Sequence, residues 1–147
     1  MITKAIDNAF ERALSQNWWE IYVAIDIHGT IFPSTYDTSA QRKFLPGAKE
    51  ALTYLSERED VKLFLYSCST LDEYTEVVDF LYDNGIMVDS IGMSPVTHLE
   101  DAMTVTKKYA TKPYYNILLD DKAGFHPEEW EEVLRTFRKY PQLPTKS

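Results

Sequence analysis

The apolar run Ile21-Tyr22-Val23-Ala24-Ile25 ends in the stretch Asp26-Ile27-His28-Gly29-Thr30. No other feature limits the fold of the chain so sharply. A short apolar run of this kind is a strand buried on both faces, as strands of parallel sheets are. A carboxylate at its end, followed by a glycine-containing turn, is delivered to the rim of the sheet. In open α/β folds that rim is where ligands bind. A second run, Asn116-Ile117-Leu118-Leu119, ends the same way, in Asp120-Asp121. Two strands that each bring carboxylates to one edge make a seat for a hard divalent cation. For that, the two strands must lie side by side, as they do where strand order reverses.

The rest of the chain alternates in the same manner. Ile6, Phe10, Ala13 and Leu14 recur at helical spacing and predict an N-terminal helix over residues 3–17. The first strand spans 21–26, and residues 31–44 form a loop or short flap. Pro46 is expected to open a helix whose stripe is Ala48, Ala51, Leu52 and Leu55. A second buried strand covers 61–66 and ends at Ser67. Thr70 and Glu73 fit a capping box for the next helix, with Glu73 reaching back to the cap. That helix is expected to bury Leu71, Tyr74, Val77, Val78, Leu81 and Tyr82, with Gly85 just past its end. A weaker strand over 86–91, a helix over 99–109, a strand over 115–120 and a helix over 127–140 complete the pattern. Glutamates open that last helix and Arg135, Arg138 and Lys139 close it, matching the helix dipole. The expected fold is α/β, with a mostly parallel sheet covered on both faces in three layers.

Composition narrows the function classes. With 147 residues the chain suits one domain with a real core. No apolar run approaches the roughly 18 residues that span a bilayer, and Asp7 and Glu11 interrupt any leader-like pattern. A membrane partner is therefore not expected. A net charge of −8 argues against an extended nucleic-acid surface. It is compatible with a small phosphorylated substrate held by a local metal and a few lysines. The single cysteine, Cys68, allows no internal disulfide, and a reducing cytoplasm is the natural setting. Cys68 lacks the arginine-containing loop of thiolate phosphatases, and His98 and His126 have no ligand-like spacing to His28.

These motifs together resemble the haloacid dehalogenase-like (HAD) phosphatase superfamily. Asp26-Ile27-His28-Gly29-Thr30 is similar to its first motif, Asp-x-Asp-Gly-Thr. The strand ending in Ser67 is similar to the second, Lys112 in Lys112-Pro113-Tyr114 to the third, and Asp120-Asp121-Lys122-Ala123 to the fourth. Leu45-Pro46-Gly47-Ala48 also resembles the family's usual entry to its first crossover helix. The likeness covers residues 21 to about 125 of a single domain and leaves the N-terminal helix outside it. It implies a Rossmann-like sheet of the HAD type with minimal or no cap.

The resemblance also implies a chemistry. Asp26 would be the nucleophile that forms an aspartyl-phosphate. Mg²⁺ would be held by Asp26, the backbone carbonyl of His28, and Asp120 or Asp121. Ser67 and Lys112 would bind the phosphoryl oxygens, and Thr30 would fix the turn. Asp121 has a second reading, in which it orients its neighbour or Lys112. Phe32, Pro33 and Tyr36 are the expected substrate-facing groups of the flap. The chain departs from the family pattern at His28, where a second Asp usually serves as general acid and base. Imidazole can do that work near neutrality. The alternative is a catalytically weak or silent module that binds metal and a phosphorylated ligand. A third reading is a phosphotransferase that uses an acceptor other than water.

Overall fold

The computed structural model describes residues 2–34, 42–67, 69–92 and 114–145. In chain order the elements are α1 (Ile2–Ser15), β1 (Ile21–Ile25), α2 (Ala48–Glu57), β2 (Val61–Leu65), α3 (Leu71–Asp83), β3 (Ser90–Ile91), β4 (Ile117–Leu119) and α4 (Trp130–Arg138). Short 3₁₀ turns lie at Asp121–Ala123 and Pro127–Glu129. The expected helix over 99–109 falls outside the described residues.

The strands form one sheet in the order β3-β2-β1-β4, and every pairing is parallel. β1 therefore lies between β2 and β4, with Ile25 level with Leu65 on one side and Leu119 on the other. The order reverses at β1, so the carboxylates that follow β1 and β4 leave the sheet side by side. This is a Rossmann-like α/β arrangement.

Alternation along the strands sorts the core. Ile21, Val23, Ile25, Leu63, Leu65, Ile117 and Leu119 share one cluster with the buried stripes of all four helices. Tyr22, Ala24 and Phe64 point the other way into a second cluster, joined by Tyr114 and Leu118. The α2 and α3 crossovers advance across the sheet in the same direction. Crossovers of one hand then place both helices on one face. Among the described residues the helices thus cover one face, and a three-layer arrangement goes beyond what they show.

Several local expectations are corrected. Pro46 lies in the turn before α2, whose N-cap is Gly47 at φ 82. A Cβ there would come within 3.1 Å of Trp130, so glycine meets both the conformational and the packing demand. Leu71 and Tyr82 are 70% and 64% exposed, so the buried face of α3 is the narrower set Tyr74, Val77 and Leu81. β3 has two residues where six were expected. Asp89 replaces part of that ladder: its carboxylate accepts from the Leu63 N–H at 2.8 Å. The last helix opens as a 3₁₀ turn and becomes α-helical at Trp130.

A buried ion pair closes the edge of the sheet where β1 and β2 begin. Arg58 donates to both carboxylate oxygens of Asp60, at 2.8 and 2.7 Å. It also donates to the carbonyls of Phe137 and Tyr140, at 3.0 and 2.9 Å. Asp60 accepts in turn from the Leu143 N–H at 3.0 Å, and its carbonyl accepts from Ile21 N–H at 2.7 Å. The start of the sheet and the segment after α4 are thereby fixed to one another. Among the described residues no helix is long and apolar enough to cross a membrane.

Candidate active site at the carboxyl edge of the sheet

Asp26 follows β1 directly and is buried. Its N–H donates to the Leu119 carbonyl at 2.9 Å, which extends the β1–β4 ladder by one residue. From there the chain folds into a tight turn in which the Ile27 carbonyl accepts from the N–H groups of Thr30, Ile31 and Phe32. Gly29 sits in this turn at φ 80, and a Cβ on it would lie 2.5 Å from Asp121 Oδ2. Only glycine permits both the turn and the approach of that carboxylate.

The β4 end is held against this turn. The Thr30 hydroxyl accepts from the Asp121 N–H at 3.1 Å and donates to Asp121 Oδ1 at 3.3 Å. The Thr30 carbonyl accepts from the buried Trp130 indole N–H at 2.8 Å. Thr30 thus ties the turn to the end of β4 as well as to the start of α4. Asp120 accepts from the Lys122 N–H at 2.9 Å and so caps the 3₁₀ turn that follows it.

One carboxylate oxygen each from Asp26, Asp120 and Asp121 lies within 4.8 Å of the others. Burial pushes the Asp26 carboxyl up to about 6, and repulsion from Asp120 and a hydrogen bond with Asp121 add to the rise. The Ile27 N–H and the Ser67 side chain, both hydrogen-bonded to Asp26, work in the opposite direction. An all-oxygen donor set with crowded negative charge fits a hard divalent cation far better than a soft one.

The raised value has a consequence for stability. The folded protein holds the Asp26 proton more tightly than the unfolded chain, so ionising it disfavours the folded state. Metal-free protein should therefore lose stability as pH rises from the ordinary value of 3.8 to about 6. Melting curves in chelator should show the stability of Asp26→Asn, relative to wild type, growing across that window and levelling off above it. A constant difference would remove the raised pKa.

Ser67 lies just beyond β2, hydrogen-bonded to Asp26. Its main chain is braced by one side chain: the Tyr74 hydroxyl accepts from the Ser67 N–H at 2.8 Å and donates to the Ser67 carbonyl. His28 is half-buried and pairs through Nε2 with the Glu73 carboxylate. Thr70 caps α3 as expected, accepting from the Glu73 N–H at 3.2 Å. The expected reach of Glu73 back to the cap gives way to this contact with His28. Phe32 is also corrected: it is 4% exposed and packs with Phe44 and Phe80, which makes it core. Pro33 is exposed. Lys112, Tyr36 and Cys68 lie outside the described residues.

Sequence reasoning missed three contributors, Glu73, Tyr74 and Trp130. Glu73 fits a local cap, while Tyr74 sits on an apolar stripe. Trp130 carries no signal beyond its place at the head of an amphipathic helix.

No family model matches the sequence, and no curated protein matches it. Among solved structures, the chain is similar to a conserved protein from Bacteroides thetaiotaomicron. The TM-score is 0.62 and the identity 18%, over 86% of this chain and 99% of that one. At that identity the likeness shows a shared fold.

Proposed function

We propose that the protein is a Mg²⁺-dependent phosphohydrolase of the HAD-like type, acting on a small phosphomonoester through an aspartyl-phosphate on Asp26. The observation that carries this reading is the convergence of three carboxylates from two adjacent parallel strands, with Asp26 the buried one. Buried, crowded carboxylates are costly unless a cation or a proton offsets them, and they mark functional sites.

Asp26, Asp120, Asp121 and the main-chain carbonyl of residue 28 would hold the metal. When bound, Mg²⁺ supplies positive charge that lets an anionic nucleophile approach an anionic phosphoryl group. Asp26 attacks phosphorus as its carboxylate, forming the acyl phosphate as the bond to the leaving oxygen breaks. His28 gives that oxygen a proton and then takes one from the water that hydrolyses the acyl phosphate. Ser67, with its main chain braced by Tyr74, would donate to a phosphoryl oxygen, and Lys112 would add positive charge there. No insertion is long enough for a large cap domain, so the cleft would be open.

A panel of phosphomonoesters assayed for phosphate release with and without Mg²⁺ tests the reading. Release is expected for at least one ester class with the metal, falling to background in chelator. Release that persists in chelator would overturn the metal's role. Absence of turnover on all esters, with metal-dependent binding of a phosphate analogue, would make the protein a binding module.

A further inference from the structure

Glu73, Glu76 and Phe80 occur at spacings of three and four along α3, which places them on one face of the helix. All three engage the connection between β1 and α2. Glu73 holds His28 and Glu76 pairs with Arg42 at 3.1 Å. Phe80 packs against Phe32 and Phe44 with ring centroids 5.4 Å apart in each pair. The aromatic contacts dock the connection on the helix. The Glu76–Arg42 pair is exposed on the Glu76 side and adds little. The contact of Glu73 differs in kind, because its partner stands two positions after the proposed nucleophile.

Nothing in α3 itself requires this contact. Thr70 already caps the helix, and Asp72 also places negative charge in its first turn. A carboxylate can only accept, so the ring nitrogen that faces it must carry the proton. Glu73 at Nε2 therefore bears on two properties of His28 together, the orientation of the ring and its tautomer. In the neutral ring the lone pair is then on Nδ1. A group that passes protons between a leaving oxygen and a water is effective only from a fixed geometry.

We propose that Glu73 is a positioning residue for His28, selecting the ring orientation and tautomer with which His28 serves the cleft. The inference rests on the phosphohydrolase reading for its catalytic meaning, and its test separates the two. Long-range ¹⁵N–¹H spectra of the metal-free protein report the tautomer without any substrate. With the rings neutral, wild type is expected to show His28 mainly protonated at Nε2, and Glu73→Ala a smaller share of that tautomer. Kinetics with Mg²⁺ form the second readout. Glu73→Ala should lower kcat about 10–100-fold on alkyl phosphates, the size usual for a lost outer partner, with KM little changed. Activated aryl phosphates, whose leaving groups need little protonation, should be nearly unaffected. Glu73→Gln keeps an acceptor oxygen and should retain most of the tautomer preference. Adding Glu73→Ala to His28→Ala should cost nothing further. An unchanged His28 tautomer in Glu73→Ala, or losses that multiply in the double variant, would overturn the proposal. If wild type turns over no ester, the phosphohydrolase reading fails, and the spectra alone decide whether Glu73 positions His28.

Discussion

Asp26→Asn is expected to abolish phosphatase turnover while leaving the fold intact. The amide is nearly isosteric and keeps an oxygen able to accept from the Ile27 N–H and the Ser67 side chain, the two groups that favour the carboxylate. What disappears is the charge proposed to attack phosphorus. Loss of an attacking group in covalent catalysis costs on the order of 10³-fold or more in kcat. Removing the charge also relieves the burial cost of the carboxylate and its repulsion from Asp120. The metal-free variant should therefore melt no lower than wild type near neutral pH. Phosphate release, a melting curve and acid-quench trapping of labelled phosphoenzyme together check the expectation. Wild-type turnover by a folded Asp26→Asn protein would eliminate the covalent route.

Asp60→Ala should be strongly destabilising. Asp60 is fully buried and Arg58 is 9% exposed, so the variant leaves a guanidinium inside the protein without its counter-charge. It also removes the acceptor for the Leu143 N–H. Breaking one side of a buried pair typically costs about 3–5 kcal/mol. That is a large share of the roughly 5–15 kcal/mol by which domains are stable. Urea unfolding should show a lower midpoint, and replacing Arg58 by Met in the same variant should recover part of the loss. The pair lies where the strands begin, whereas the carboxylate cluster lies where they end. Turnover per folded molecule should thus be unchanged. A loss below about 1 kcal/mol would mean that water reaches the guanidinium.

The central strands were legible because parallel strands buried on both faces are written as unbroken apolar runs. β1 and β2 each fall within a residue of the expected spans. The stripe of α2 was legible for the corresponding reason at helical period, as was that of α1 except for Leu14, which is 57% exposed. β3 was not, because Ile86 is buried without belonging to a strand, and its burial imitates a strand signal. Leu71 and Tyr82 misled because they are apolar residues at helical spacing that the packing leaves outside. At the site, the adjacency of β1 and β4 followed from requiring two carboxylate ends to meet. The partner of His28 did not follow from anything local. A cap is settled by neighbours within four positions, whereas the His28–Glu73 contact spans 45 positions.

The Thr30 junction has a bearing on the order in which the molecule is made. Its partners Asp121 and Trp130 lie 91 and 100 residues farther along the chain. During synthesis β1, β2 and α3 emerge while Asp120 and Asp121 are still to come. Of the three clustered acids the nascent chain then carries Asp26 alone. Charge crowding arises only when β4 docks, a late and entropically costly closure of a long loop. On this geometry the three acids meet only in that closure, so an ion that binds them would act on the folding rate as well as on the finished protein.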